Sequence, residues 1–241
     1  MTASKYLLFL FFALATISVS YFVGKRAYYY QSGLPQNRRD IIPQKPGFIT
    51  YTINIKESNL NEVNLFKALP HSTSDIVFLG TSLTQGFPVE EMFLDCRIKN
   101  RGIGGNTIDN ILNRLEEVTN GKPAKIFLEV GTNDIKPTCN IDSIFNKFVI
   151  IIKTLKKETP LTKIYIQSVL PFGRNNAPNI EMYNAWIKSY CTKNGLIFIN
   201  LYPFFLQDGS LKKELTTDGT HLNSNGYLLW KAILTPYIKA S

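Results

Sequence analysis

Four short blocks carry the residues with chemical potential in this chain. Gly80-Thr81-Ser82-Leu83-Thr84 offers a small nucleophile. Asn100 to Thr107 contains a glycine-rich turn, Gly102-Ile103-Gly104-Gly105. Gly131-Thr132-Asn133-Asp134 offers a side-chain amide donor, and Asp218-Gly219-Thr220-His221 an Asp/His pair. A serine hydroxyl is a weak nucleophile at neutral pH and needs an adjacent base. The chain has two histidines, His71 and His221. His71 stands in Pro70-His71-Ser72, where it reads as a surface residue, so His221 is the candidate base. Each block alone has a bland explanation: a serine after a strand is commonly a helix cap, and a glycine-rich turn is commonly just a turn. Four of them in one chain are harder to assign to chance.

The elements around the blocks give the conjunction its meaning. Asp75 to Gly80 is a short apolar run ending at glycine, which reads as a buried parallel strand. Cys96 to Asn100 is a weaker strand candidate, Lys125 to Val130 a strong one, Lys163 to Leu170 a fourth and Leu196 to Leu201 a fifth. Between them run helical patterns. Asn106 or Thr107 can cap a helix with Ile108, Ile111, Leu112, Leu115 and Val118 on one face, and Asn140 can cap a long one. Others follow Pro178 and start near Asn225, the latter running towards Pro236. Strands alternating with helices through short connections imply a parallel sheet covered on both faces, a three-layer α/β/α domain with five strands. Ligands bind such sheets at the carboxyl ends of the strands. The first three blocks lie just after predicted strands, and the fourth lies at the C-terminal corner.

The rest of the chain looks different. Tyr6 to Val23 is apolar and uncharged, with Lys5 before it and Lys25-Arg26 after it. A bilayer core about 30 Å thick needs roughly 20 apolar residues, so residues 1–24 read as a membrane anchor or a signal peptide. Basic residues downstream favour a cytoplasmic flank, while the short basic start favours export; the expected location of the catalytic part is outside the cytoplasm. Residues 25–56 form a basic connector, with six Lys or Arg against Asp40 alone, and Phe48 to Lys56 alternates in a way that predicts a half-buried strand. A short helix is expected over Leu60 to Leu69. The net charge of +9 is therefore weighted towards the connector, and no nucleic-acid recognition motif accompanies it. Three scattered cysteines and two histidines give no metal-ligand spacing, and the glycine turn lacks the pattern of a nucleotide site, so no metal or cofactor is expected.

The four blocks together resemble the SGNH/GDSL hydrolases, the GDSL-type esterases and lipases. The likeness covers about Asp75 to Ile238 and is nearest the branch with platelet-activating-factor acetylhydrolase-like and carbohydrate acetylesterase-like members. It implies a flavodoxin-like SGNH fold over residues 57–241 and a serine esterase without cofactors. It further implies Ser82 as nucleophile, His221 as base and Asp218 as its partner, with an oxyanion hole formed by the backbone N–H groups of Ser82 and Gly105 and the side-chain amide of Asn133. Thr81 stands where the family name has Asp, and Asn106 where Asp is common. The implied substrate is a carbohydrate or lipid ester with a short acyl group. Acyl transfer to a surface polysaccharide, or a non-catalytic flavodoxin-like binding module, are the alternatives.

Overall fold

The computed structural model describes residues 55–239, with side chains from Asn59 onward. The apolar run 6–23, the connector and the first part of the expected strand lie outside the described residues. From Asn59 the chain forms one compact unit.

The unit is a three-layer α/β/α sandwich. Helix α1 (Ile55–Ala68) leads into β1 (Ile76–Gly80), the short helices α2 (Ser82–Gln85) and α3 (Val89–Phe93), and β2 (Ile98–Gly102). Then come α4 (Ile108–Asn113), α5 (Glu116–Thr119), β3 (Lys125–Leu128), α6 (Ile141–Glu158), β4 (Lys163–Gln167), α7 (Ala177–Lys193) and β5 (Ile197–Ile199). Helix α8 (Tyr202–Phe205), a small hairpin of β6 (Leu206–Gln207) and β7 (Ser210–Leu211), and α9 (Ser224–Lys239) complete it. The five main strands are all parallel, in the order β2-β1-β3-β4-β5. The order reverses direction between β1 and β3, which opens a crevice at their carboxyl ends.

Alternate strand residues feed two cores. Val77, Leu79, Ile126, Leu128, Ile164 and Ile166 pack with the apolar faces of α4, α6 and α7. Ile76, Phe78, Phe127, Tyr165 and Ile199 face the other way, towards Leu83, Phe87 and the Trp230, Leu234 and Ile238 stripe of α9. Three aromatic rings stack across adjacent strands on that side: Phe78 on Phe127 at 4.9 Å and Phe127 on Tyr165 at 4.5 Å between centroids. Both faces of every central strand are thus consumed by packing, and chemistry is left to the strand ends.

Several expectations shift. Ile55 and Lys56, read as the end of a strand, begin α1 instead. Its half-buried positions include Asn59, Glu62, Val63 and Phe66, an i, i+3, i+4, i+7 set, so the helical period prevails over the alternation. Strand β2 sits two residues later than expected, because its register with β1 pairs Ile76 with Ile98 and Gly80 with Gly102. The helix expected from Thr107 to Val118 breaks at Arg114, whose φ of −121° and ψ of 11° leave the helical region. Helix α9 continues through Pro236 to Lys239, and buried Lys125 donates to the carbonyls of Tyr237 and Ile238 at 3.0 and 2.9 Å near its end. That satisfies acceptors which the last turn cannot pair itself.

Glycine is required where α2 lies over the ends of β1 and β2. A Cβ on Gly102 would stand 2.1 Å from the backbone nitrogen of Gln85 and 2.6 Å from its Cα. Backbone cannot swing aside as a side chain can. Gly102→Ala is expected to destabilise the protein by at least the ~1–3 kcal/mol typical of overpacking, read as a lower urea midpoint; an unchanged midpoint would show that α2 is not seated as described.

Candidate active site

Ser82 is the first residue of α2, directly after the end of β1, and is half-buried. Its Oγ lies 3.1 Å from His221 Nε2. His221 Nδ1 lies 2.7 Å from Asp218 Oδ2. The other Asp218 oxygen accepts from the backbone N–H of Thr220 at 2.9 Å and of His221 at 2.7 Å. The three-residue spacing thus has a local cause: one oxygen of Asp218 closes the turn that carries His221, and the other holds its ring. Partial burial works against charge on Asp218, but the bonds from the His221 ring and the two backbone N–H groups outweigh it and hold the carboxyl below its usual range. An ionised carboxylate can only accept. The Nδ1 atom therefore carries the proton, and the Nε2 lone pair faces the serine hydroxyl.

The turn is clamped from outside as well. Thr216 Oγ1 donates to the His221 carbonyl at 2.6 Å and accepts from Gly219 N–H at 2.9 Å. Gly219 has φ of +84°, a conformation that favours glycine. His71, by contrast, is exposed and lies against Gly121, before the start of β3 and so at the opposite end of the sheet from Ser82.

The glycine block forms a tight turn. Asn106 N–H donates to the Ile103 carbonyl at 3.3 Å, and Gly105 has φ of +74°. That is the third position of a turn that demands a left-handed residue. A Cβ on Gly105 would meet nothing within 4 Å, so close approach is not what calls for glycine there. The crowded position is Gly104, whose Cβ would stand 2.9 Å from Gln85 Oε1 and 3.9 Å from the Ser82 Cβ. Asn133 is half-buried and donates one amide hydrogen to the Asn106 carbonyl at 2.9 Å. A carboxamide has two such hydrogens.

Sequence reasoning assigned no role to two buried charged groups next to these residues. Glu129, at the end of β3, is sealed from solvent. It accepts from Thr81 N–H at 3.1 Å, Thr81 Oγ1 at 2.8 Å, Thr84 Oγ1 at 3.3 Å and Thr132 Oγ1 at 3.0 Å. Arg114 is also buried; it donates to the carbonyls of Gly80 and Arg101, both at 2.9 Å, to Asn106 Oδ1 at 2.8 Å, and to Glu117. The available signals were a Glu closing an otherwise apolar strand and an Arg in the middle of an amphipathic pattern.

The arrangement brings a hydroxyl, an imidazole and a carboxylate into one chain beside a loop with backbone and amide donors, which is the constellation needed for acyl transfer. The model of the GDSL-like lipase/acylhydrolase family matches residues 78–229, more than half of the chain. The chain belongs to this family. Among solved structures, a GDSL-like lipase from Bacteroides thetaiotaomicron superposes with a TM-score of 0.67 at 26% identity, covering 75% of this chain and 97% of that one. The human platelet-activating factor acetylhydrolase IB subunit alpha2 is 28% identical over 165 residues, covering 64% of this chain and 71% of that protein. An N-acylneuraminate cytidylyltransferase from Streptococcus agalactiae serotype III is 26% identical over 208 residues, covering 83% of this chain but 49% of that protein. The chain thus spans about half the length of the cytidylyltransferases it matches. Family membership supports an ester hydrolase.

Asp134, the last residue of the Gly-x-Asn-Asp block, faces away from this chemistry. Its carboxylate accepts from Ile108 N–H at 3.1 and 3.2 Å and so joins the 131–135 turn to the start of α4. Burial, aided by nearby Asp109, pushes its carboxyl up to about 6. A carboxyl whose folded value is raised contributes stability that is lost as pH rises from the unfolded value through the folded one. The stability of Asp134→Asn relative to the unmodified protein is therefore expected to increase between about pH 4 and pH 6, measured by urea unfolding across that range. A difference that stays flat or falls would contradict the burial argument.

Proposed function

We propose that the protein is a serine esterase that removes a short acyl group, such as acetyl, from a carbohydrate or lipid through an acyl-serine intermediate. The observation that carries this reading is the continuous path from Ser82 Oγ through His221 to Asp218. Ser82 attacks the ester carbonyl while His221 Nε2 takes its proton, and the imidazolium so formed is stabilised by Asp218. His221 then returns the proton to the departing alcohol. Water, activated by the same nitrogen, attacks the acyl-serine and releases the acid. In both steps the carbonyl oxygen becomes negative. The donors proposed for it are the backbone N–H groups of Ser82 and Gly105 and the remaining amide hydrogen of Asn133. Ser82 opens a helix, where first-turn N–H groups have no intrahelical acceptor.

The short-acyl reading draws support from the name of one relative, a platelet-activating factor acetylhydrolase. The apolar run 6–23 and the short basic start before it support an enzyme exported to the outer face of a membrane, anchored there or released by signal cleavage.

Ser82→Ala is expected to abolish nitrophenyl acetate hydrolysis and labelling by a fluorophosphonate probe while the circular dichroism spectrum is retained. Residual hydrolysis near the unmodified rate would refute the acyl-serine reading. Asn133→Ala is expected to lower kcat by roughly 10²–10³-fold with little change in KM, as for loss of one oxyanion donor. A chain-length series of nitrophenyl esters beside acetylated sugars tests the acyl part: preference for acetyl supports the proposal, and preference for long chains contradicts it.

A further inference from the structure

Arg114 lies beneath the glycine turn, nearly sealed from water, and spends its donors on three separate pieces of the site. One terminal nitrogen donates to the carbonyls of Gly80, the last residue of β1, and Arg101, the next-to-last of β2, the two strands that lead into the Ser82 turn and the glycine turn. The Nε atom donates to Asn106 Oδ1. The other terminal nitrogen is held by Glu117, itself buried, so the guanidinium cannot rotate without abandoning a buried carboxylate. Asn106 in turn closes the glycine turn through its N–H and receives the Asn133 amide on its carbonyl. A single rigid cation thus connects the strand that presents Ser82 with both components of the glycine and asparagine loops. Such a planar five-donor group is suited to fixing several acceptors in one geometry, and lysine is not.

From this chain of bonds we propose that Arg114 is a positioning residue for the oxyanion hole: acting through Asn106, it sets the Asn133 amide and the Gly104-Gly105 turn at the correct distance from Ser82. The inference rests on the esterase reading above. It assigns Arg114 no contact with substrate. Its role is felt only where charge develops on the carbonyl oxygen, so its loss is seen in turnover and not in ground-state binding.

A kinetic double-mutant cycle on nitrophenyl acetate tests it, with Arg114→Lys, Asn133→Ala and the double variant. Arg114→Lys is expected to lower kcat by roughly 10–100-fold with KM within about twofold, since a displaced donor costs less than the ~10²–10³-fold of a deleted one. In the Asn133→Ala background the same change is expected to cost clearly less than in the unmodified protein, because one of the two donors it positions is already gone and only the Gly104-Gly105 turn is left to displace. Reductions that multiply in the double variant, or a change confined to KM, would overturn the proposal. Urea midpoints of all four proteins establish that kinetics are compared on folded material. If Arg114→Lys is not recovered folded, Asn106→Ala, which removes one acceptor of the guanidinium and keeps the backbone carbonyl, carries the same cycle with the same two outcomes. Loss of activity in Ser82→Ala separates the two ideas. If that loss fails, the esterase reading falls; if it holds and the cycle is multiplicative, only the positioning role falls.

Discussion

Glu129 is the group on which the presentation of the nucleophile depends. A carboxylate sealed at a strand end is costly unless its oxygens are filled. Here both oxygens are filled by hydroxyls and a backbone N–H from the two turns that flank the crevice. Thr81 supplies two of those donors, immediately before Ser82, and Thr84 a third, from the next turn of the chain. The nucleophile turn is therefore tied to β3 and not only to the strand it continues. Thr132 ties the Asn133 turn to the same carboxylate. Two loops whose separation matters in the proposed reaction share one buried acceptor.

Glu129 also gives a physical account of one departure from the family's wording. Where the family name has Asp, this chain has Thr81, whose hydroxyl donates to Glu129. An aspartate at that position would set two carboxylates against each other in a buried space, where like charges are strongly unfavourable. Asn106 has a parallel explanation. Its amide oxygen accepts from Arg114, while Glu117 supplies the counter-charge, so a second carboxylate is not needed there. Both departures lie in the scaffold behind the site. They change how the loops are held and leave Ser82, Asp218 and His221 in contact.

The blocks that make up the candidate site were legible because each is local. A strand that stops at glycine, a turn with a left-handed glycine and an Asp three residues before a His are patterns written in consecutive residues. Alternation of strand and helix implies the parallel sheet but leaves its strand order open. Arg114 and Glu129 were not legible in this way. Their partners lie far along the chain, Thr81 and Glu129 being 48 residues apart and Arg114 and Gly80 34 apart. Arg114 falls inside the amphipathic pattern expected from Thr107 to Val118, and its buried bonds accompany a break in that helix. The alternation misled at its last two residues for the converse reason: Ile55 and Lys56 belong to a helix whose face continues through Phe66.

The two halves of the site are held by different physics. On the oxyanion side, buried charges fix the loops through many hydrogen bonds, and each partner lost leaves a charge or a polar group stranded in the interior. On the base side, the Asp218 and His221 side chains are about half exposed, at 53% and 47%. They are held mainly by the closure of their own turn, with Thr216 as its outer clamp. In the proposed reaction the exposed half is the part that carries the proton. In the same proposal the buried half must stay fixed, because such donors help only if they are already in place when an oxyanion forms. An exposed proton carrier set against a buried electrostatic wall is a division that a parallel sheet supplies readily. Its strand ends fix the wall, and its C-terminal loop delivers the histidine from outside.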